Sequence, residues 1–239
     1  MLSPDSHAVK TGEVTRVDAT TRLFAGLIVA TFAIGLIVDR FGGLMGQVVV
    51  GVWTWLLLLR LIHTMAPRSR VPFYACLVWA TAGEVFLSLI WGLYAYRLGN
   101  IPFFVPPGHV LLFWLGLTFA PSVSGLFVRC VAALAIVYSA YALYTGLDTI
   151  SVLLAGLFLL CWSWRDARPL FSLMLVISLV LELYGTWVGN WVWQTDVPYL
   201  GLTSNNPPLA AGAFYCVLDV LVAMSVWALS GARPKHRPA

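Results

Sequence analysis

Long apolar runs separated by short loops constrain the fold of this chain more than any other feature. A helix needs about 20 apolar residues to cross a bilayer, and several runs approach that length. We place eight of them near residues 22–38, 43–62, 71–94, 103–120, 124–144, 149–164, 170–193 and 209–229. The chain is 60% hydrophobic and 10% charged, whereas soluble domains have about 25% charged residues. We therefore predict an all-α polytopic membrane protein with about eight transmembrane helices, of which the fourth, bracketed by prolines, is either spanning or re-entrant.

The basic residues indicate how these helices are oriented. With the N-terminus inside, twelve Lys and Arg residues fall in inner segments, and only Arg40 and Arg97 fall in outer ones. This bias is the positive-inside pattern, so we expect both termini to be cytoplasmic and the protein to be multi-pass in a bacterial inner membrane. Residues 1–20 lack the apolar core of a secretory signal. Because the basic residues lie in short loops rather than one patch, no nucleic-acid partner is predicted.

The two halves of the chain resemble each other. Leu23 and Gly43 have counterparts in Leu126 and Gly146, and in each half a basic loop ending in proline precedes a glutamate-bearing helix. Four spans per unit is an even number, so the halves would run in the same direction as a parallel 4+4 repeat. The alternative is that proline-rich loops and aromatic belts recur in any polytopic protein. The predicted organisation is a polar N-terminal segment, two four-helix repeats and a basic tail, at residues 1–21, 22–120, 121–230 and 231–239.

Three carboxylates, Glu84, Glu182 and Asp219, interrupt the apolar runs. At a rise of about 1.5 Å per residue each lies near the bilayer midplane, where an acid costs about 2.5–3.5 kcal/mol on insertion scales. We expect no Lys, Arg or His at that depth to pair with them, since His109 is placed at the outer loop. Interhelical hydrogen bonding is the alternative explanation for one acid. Three acids at one depth favour a functional role, and we take all three as catalytic candidates.

Aromatic and polar residues near the outer ends of the glutamate helices are candidates for substrate contact. The candidates are Trp91, Tyr94, Tyr96, Thr186, Asn190, Trp193 and His109. Helical spacing places Trp91 and Trp193 on the faces of the glutamates, where they would line a pocket for a polyene, a ring system or a cation. An interfacial aromatic belt is the alternative, and His109 alternatively serves as a hydrogen bonder at a helix start. Gly185 and Gly189 form a small-residue face that we expect to pack against another helix.

Other chemistry is not indicated by the sequence. It has no HExxH motif, no P-loop and no nucleophile elbow, and no lysine in a predicted span, which excludes a retinal Schiff base. Four single cysteines without metal-ligand spacing are expected to be reduced packing residues. We therefore predict neither a metal site nor a cofactor.

One stretch carries a family resemblance. Glu84, the W-G-L-Y-A-Y sequence at residues 91–96 and the Ile-Pro pair at residues 101–102 resemble bacterial and archaeal carotenoid-biosynthesis membrane proteins of the bisanhydrobacterioruberin hydratase type. Those proteins have a mid-helix glutamate, Gly-x-Tyr-x-Tyr and a proline-bearing loop. Residues 100–109 also resemble uncharacterised bacterial polytopic membrane proteins. The second half departs from the pattern, with W-V-W at residues 191–193. The resemblance implies an isoprenoid or polyene substrate, with Glu84 as the transferable residue.

These features lead to three functional hypotheses. The first is a membrane enzyme in which Glu84, Glu182 or Asp219 protonates a carbon–carbon double bond of a lipophilic isoprenoid, for hydration, isomerisation or cyclisation. The second is a proton-coupled transporter of a small molecule or lipid. The third is a non-catalytic subunit or assembly factor of a membrane complex. The expected partners are accordingly the membrane, a lipophilic small molecule or lipid, and either further copies of the chain or a membrane complex.

Overall fold

A computed structural model describes residues 18–229, and these residues form an all-helical protein. The prediction of an all-α fold is confirmed. Most of the predicted N-terminal segment (1–21) and the whole basic tail (231–239) lie outside the described residues. The helices within them are α1 (Ala19–His63), α2 (Val71–Glu84), α3 (Val105–Phe119), α4 (Gly125–Thr145), α5 (Ile150–Trp162), α6 (Arg168–Val188) and α7 (Ala213–Leu229).

Helix α1 consists of two arms joined at Gly43. This glycine has φ 60° and ψ −147°, a backbone conformation that side chains with a Cβ strongly disfavour. The second arm packs back on the first. Trp53 Nε1 donates to Thr31 Oγ1 at 2.8 Å, and a Cβ at Gly35 would lie only 3.1 Å from Val50. The turn falls where the sequence separates the first two apolar runs.

Local signals in the sequence account for several helix starts. The Asp18 side chain accepts a hydrogen bond from the backbone N–H of Thr21 at 2.7 Å and caps α1. Hydrogen bonds from Thr21 hold the pKa of the exposed Asp18 carboxyl below its usual value. Ser124 caps α4 in the same way through Phe127 N. Helices α2, α3 and α6 each carry proline in the first two positions, where its missing N–H costs nothing.

The exterior of the bundle is apolar. Within residues 18–229, four helical segments are long and apolar enough to cross a membrane, at Ala19–His63, Pro67–Ile90, Gly125–Thr145 and Arg165–Val188, while α5 and α7 are apolar but shorter. Large apolar side chains such as Phe41, Tyr144 and Trp187 are more than three-quarters exposed. A surface of this kind suits lipid rather than water, and the protein is a membrane-associated helical protein.

The central helices bring the two halves of the chain together. Helix α2 packs against α3 and α7, and α6 packs against the same two helices. Helix α1 lies against α3 and α6 on one side, while α5 contacts α6 and α7 on the other, with α4 beside α5 and α6. The centre of the bundle is therefore formed by α2 and α6, which carry the two glutamates, and by α3 and α7.

The predicted helices at 71–94 and 170–193 extend too far. A π-helix (Val85–Ile90) directly follows α2, and the helical segment ends with it. Helix α6 ends at Val188. Gly92 (φ 74°) and Gly189 (φ 88°) then turn the chain, because glycine adopts positive φ without strain. The residues that follow each glycine form strands, so helical spacing does not apply to Trp193. Between Glu84 and Trp91 the π-helix replaces the α-helical spacing that placed Trp91.

Two short strands join the halves at one end of the bundle. β1 (Tyr94–Tyr96) pairs antiparallel with β2 (Trp191–Trp193), with Tyr94 opposite Trp193 and Tyr96 opposite Trp191. A second pair, β3 (Asp196–Val197) and β4 (Leu202–Thr203), lies in the loop before α7. Since alternate residues of a strand point to the same face, the four aromatic side chains of β1 and β2 turn inward together.

Candidate functional site

Glu84 is the last residue of α2 and is held by two tyrosines of β1. Its Oε2 accepts hydrogen bonds from Tyr94 Oη at 2.9 Å and from Tyr96 Oη at 2.7 Å. All three side chains are buried. The π-helix starts immediately after Glu84, and such local widening of a helix is frequent at functional sites. The second oxygen, Oε1, is left facing α3.

Glu182 of α6 is held in an equivalent way by two tryptophans of β2. Its Oε2 accepts from Trp191 Nε1 at 2.8 Å and from Trp193 Nε1 at 3.1 Å. Its Oε1 accepts from Tyr215 Oη, on α7, at 3.1 Å. Indole N–H groups can only donate, so Oε2 acts as an acceptor towards both rings. A proton on this carboxyl group would have to lie on Oε1, beside Tyr215.

The pairing of β1 with β2 packs the two sets of donors against each other. The ring centroids of Tyr94 and Trp193 are 4.8 Å apart, and those of Tyr96 and Trp191 are 6.0 Å apart. Both separations lie in the range of favourable aromatic pairs, worth about 0.5–1.5 kcal/mol beyond burial. The aromatic rings therefore hold the glutamates and also pack β1 against β2.

His109 connects the two carboxylates, contrary to the expectation that no histidine lies at their depth. Helix α3 begins at Val105, so His109 is inside the helix rather than in the outer loop. Its Nε2 lies 3.4 Å from Glu84 Oε1. Its ring stacks on Tyr215, with centroids 4.9 Å apart and an interplanar angle of 7°. His109 lies within the predicted helix at residues 103–120, and this was the sequence signal that it belongs to a helix rather than to a loop.

The hydrogen bonds of His109 determine where its proton lies. Nδ1 is 3.0 Å from the carbonyl oxygen of Val105, and a carbonyl only accepts, so we assign the hydrogen to Nδ1. A favourable contact between Nε2 and Glu84 Oε1 then requires one further proton, carried by either the imidazole or the carboxyl group. The geometry therefore allows Glu84 and His109 to hold one proton between them.

Two cavities border this pair. The first, of about 50 Å³, lies between α1, α3 and α6, and the second, of about 60 Å³, lies between α2 and α7. Apolar side chains make up most of both walls. Five residues line both cavities, namely Glu84, Tyr94, His109, Glu182 and Tyr215. The carboxylates, the imidazole and the phenol are therefore accessible from two sides.

Gly185 makes room for the indole that holds Glu182. A Cβ at this position would lie 2.0 Å from Trp191 Cη2, so the ring covers the glycine directly. Gly189 ends α6 with a left-handed backbone conformation. The expectation that this glycine pair packs against another helix is wrong for Gly185, whose face is occupied by the aromatic ring of β2. It holds for Gly189, where a Cβ would lie 3.1 Å from Arg40 Nε of α1.

Three of the candidate substrate contacts have other roles. Trp91 Nε1 donates to the carbonyl oxygen of Pro198 at 3.0 Å, and Thr186 Oγ1 donates to the backbone oxygen of Glu182 at 2.8 Å. Asn190 Nδ2 donates to Asp39 Oδ2 at 2.6 Å. None of the three is among the residues that line the two cavities. They fix the loop before α7, α6 and the end of the first arm of α1 respectively.

Asp219 lies apart from the other two acids. It is buried in α7, and within residues 18–229 neither of its carboxyl oxygens has a hydrogen-bond partner. It lines neither cavity. Tyr215 lies four residues before Asp219 on the same helix, yet its hydroxyl donates to Glu182. Trp191 and Tyr215 are thus site residues that we did not select from the sequence, although the W-x-W alternation pointed to Trp191.

No protein-family model, curated protein or solved structure matches this chain. Within the described part of the chain, no group of three or more His, Cys, Asp or Glu residues is arranged to hold a metal ion. Over the same residues the four cysteines are free thiols, three of them buried. Functional inference therefore depends on the geometry of the two carboxylates and their partners.

Proposed function

We propose that this protein is a membrane enzyme that transfers a proton to a carbon–carbon double bond of a lipophilic isoprenoid or polyene. The observation that carries this proposal is the 3.4 Å contact between Glu84 Oε1 and His109 Nε2 at the edge of two mostly apolar, aromatic-lined cavities. A general acid needs a proton donor within reach of the reacting atom. An alkene offers no other group for the protein to activate, so a positioned acid and a π-rich wall are the minimum requirement.

The first step assigns a separate role to each oxygen of Glu84. Tyr94 and Tyr96 occupy Oε2, so Oε1, together with His109 Nε2, is the source of the proton. Transfer to one alkene carbon leaves a cation on its neighbour and a negative charge on the Glu84–His109 pair. The faces of Tyr94, Trp191 and Tyr215, which line the first cavity, stabilise the cation through their π-electrons.

The second step uses Glu182 as the base. In hydration, a water oxygen bonds to the cation, and Glu182 takes the proton that the water releases. In isomerisation, Glu182 takes a proton from the carbon next to the cation, and a new double bond forms. Glu182 then loses its proton to solvent, and the Glu84–His109 pair regains one. The fixed donors from Trp191, Trp193 and Tyr215 hold the carboxylate in place throughout.

The membrane arrangement that we propose has eight spans, with both termini on the cytoplasmic side of a bacterial inner membrane and two parallel four-helix repeats. The antiparallel pairing of β1 with β2 supports the repeat. Arg97 N donates to Asn190 O, and Gln194 N donates to Leu93 O, and these two bonds are related by a two-fold axis through the centre of the strand pair. Parallel repeats about an axis normal to the membrane place their shared site near that axis.

A proton-coupled transporter is the second candidate, and the paired cavities favour it. They lie on different sides of the same carboxylates, as a proton-linked site with alternating access would require. The two candidates differ in one measurable result. An enzyme leaves a hydrogen from solvent on a carbon atom of its lipid, and a transporter does not.

Deuterium incorporation from solvent distinguishes these functions. Full-length protein in proteoliposomes is incubated in D₂O with the neutral-lipid extract of the source membranes, and the lipids are examined by mass spectrometry. For wild type we expect lipid species with non-exchangeable deuterium. Glu84→Gln should lower the rate by about 10²–10⁴-fold, the usual contribution of a general acid. Asp219→Asn makes the same acid-to-amide change at a buried acid outside the cavities. This variant should keep the wild-type rate of deuterium incorporation.

Two outcomes would reject the enzyme. If wild type and Glu84→Gln give identical lipid spectra, no proton reaches carbon through this residue. If proton-coupled uptake of a solute into the same proteoliposomes is found instead, and is lost in Glu182→Gln, transport is the function.

A further inference from the structure

A third cavity forms an apolar groove on the outside of the bundle. It measures about 650 Å³ and lies between α1, α3 and α6. Its lining residues are Ala25, Gly26, Val29, Ala30, Leu115, Phe119, Leu173 and Ile177. All eight are apolar, so none of these side chains can form a hydrogen bond with a molecule that enters the groove. Its chemistry is that of a hydrocarbon site.

The groove continues the first cavity along the same three helices. On the first arm of α1, the groove is lined by residues within 25–30 and the cavity by residues within 31–36. On α3, the groove is lined by residues within 115–119, and the last cavity residue is Leu112. On α6 the groove is lined at residues 173–177 and the cavity at residues 181–182. From Ala25 to Leu36 the helical rise amounts to about 16 Å. The groove and the first cavity therefore lie next to each other along these helices, with the groove at the exterior and the cavity beside Glu84 and Glu182.

Small residues keep the groove open to its surroundings. A Cβ added at Gly26 would meet no atom within 4 Å, and Val29 is 57% exposed. A partner helix does not fit this space, because a cylinder about 10 Å wide and 16 Å long occupies roughly 1,250 Å³. A single extended hydrocarbon chain does fit. At the spacing of carbon–carbon single bonds, about 16 Å corresponds to about a dozen chain carbons, or about three isoprene units.

We propose that this groove binds the prenyl tail of the substrate, which reaches the acid site sideways from the lipid. The inference rests on the proposed function, since the reacting double bond must lie beside Glu84 and Glu182. The tail then lies along α1, α3 and α6, and the substrate need not leave the membrane to bind. Substrates with fewer than about three isoprene units beyond the reacting bond would leave the groove unfilled and bind more weakly.

Photolabelling tests the position of the tail. The probe is an all-trans C20 prenol with a diazirine at the end remote from its hydroxyl, added to proteoliposomes of the full chain, and the labelled peptides are mapped by mass spectrometry. We expect labels in α1, α3 and α6 at the groove residues, which unlabelled prenol displaces. Gly26→Leu fills the groove and should reduce labelling at least about tenfold. Gly156→Leu is the matched control, since Gly156 is also an exposed helical glycine with open space around it.

Two results would overturn the inference. One is labelling spread evenly over the lipid-facing helices and unchanged in Gly26→Leu. The other is equal labelling of the groove by a diazirine palmitate, which would assign it to any acyl chain of the bilayer.

The results can reject the proposed proton transfer and the proposed binding site independently of each other. If the groove is labelled specifically but wild type incorporates no deuterium, the binding site stands and the proton transfer is rejected. If deuterium is incorporated but the groove is not labelled, the tail lies elsewhere. Labelling of Glu84→Gln at the wild-type level is expected, because this change removes a proton donor and leaves the groove intact.

Discussion

Replacement of Gly185 by alanine tests whether the indole of Trp191 positions Glu182. The new methyl group would lie 2.0 Å from Trp191 Cη2, whereas carbon atoms pack at about 3.5 Å or more. The ring must therefore move by about 1.5 Å. Since the Trp191 Nε1 to Glu182 Oε2 bond is 2.8 Å long, a shift of that size takes it beyond hydrogen-bonding distance.

Two losses add to the cost of this substitution. Overpacking of a well-packed site costs about 1–3 kcal/mol, and loss of a hydrogen bond to a charged group costs about 1.5–3 kcal/mol. Together they lower the free energy of unfolding by about 2.5–6 kcal/mol. At about 2–4 °C per kcal/mol for a protein of this size, the apparent Tm should fall by about 5–24 °C. Turnover should fall with it, because Glu182 loses one of its three donors.

The measurement is thermal unfolding in one detergent, followed by circular dichroism, with Gly156→Ala as the control. Gly156 lies inside α5, and a Cβ there meets no atom within 4 Å. Its replacement should leave the Tm unchanged or raise it, since alanine favours a helix by up to about 1 kcal/mol over glycine. If Gly185→Ala is as stable as this control, the ring does not cover the glycine and the packing described for Trp191 is wrong.

Three further substitutions address the supports of the site. Tyr96→Phe removes the 2.7 Å donor to Glu84 and should lower the deuterium-incorporation rate by about tenfold, equal to about 1.4 kcal/mol; an unchanged rate would show that Oε2 needs no fixed donor. Asn190→Ala leaves the buried Asp39 side chain without its 2.6 Å donor. It should lower the free energy of unfolding by about 1–3 kcal/mol and with it the Tm, and an unaltered melting curve would contradict this. Asp148→Ala removes the acceptor of four hydrogen bonds and should speed limited proteolysis of the loop between β2 and α7; equal digestion of both proteins would refute that role.

The sequence predicts the helices well because hydrophobic runs reflect burial and lipid contact directly. It predicts the surroundings of the glutamates poorly, because helical spacing identifies only neighbours on the same helix. Glu84 was expected to share a face with Trp91, yet its partners are Tyr94 and Tyr96, which follow the turn at Gly92. The Y-x-Y and W-x-W alternation is a strand pattern of period two, and it was the available signal.

The partners of the acids depend on contacts between distant segments. Tyr215 lies four residues before Asp219, so spacing along α7 assigns it to that acid, but the packing of α6 on α7 presents Glu182 to it instead. No rule of local sequence distinguishes these outcomes. The same holds for His109, whose approach to Glu84 follows from the packing of α2 on α3.

The proposed repeat explains why one site contains two carboxylates with different partners. Every side-chain partner of Glu84 comes from the first half of the chain, and every side-chain donor to Glu182 comes from the second. The first half supplies phenols and an imidazole, which exchange protons, while β2 supplies indoles, which only donate hydrogen bonds. A duplicated unit would initially provide two equal acids. Under the proposed function, divergence of the residues around them would then separate a proton donor at Glu84 from a proton acceptor at Glu182, as acid and base catalysis on a single substrate requires.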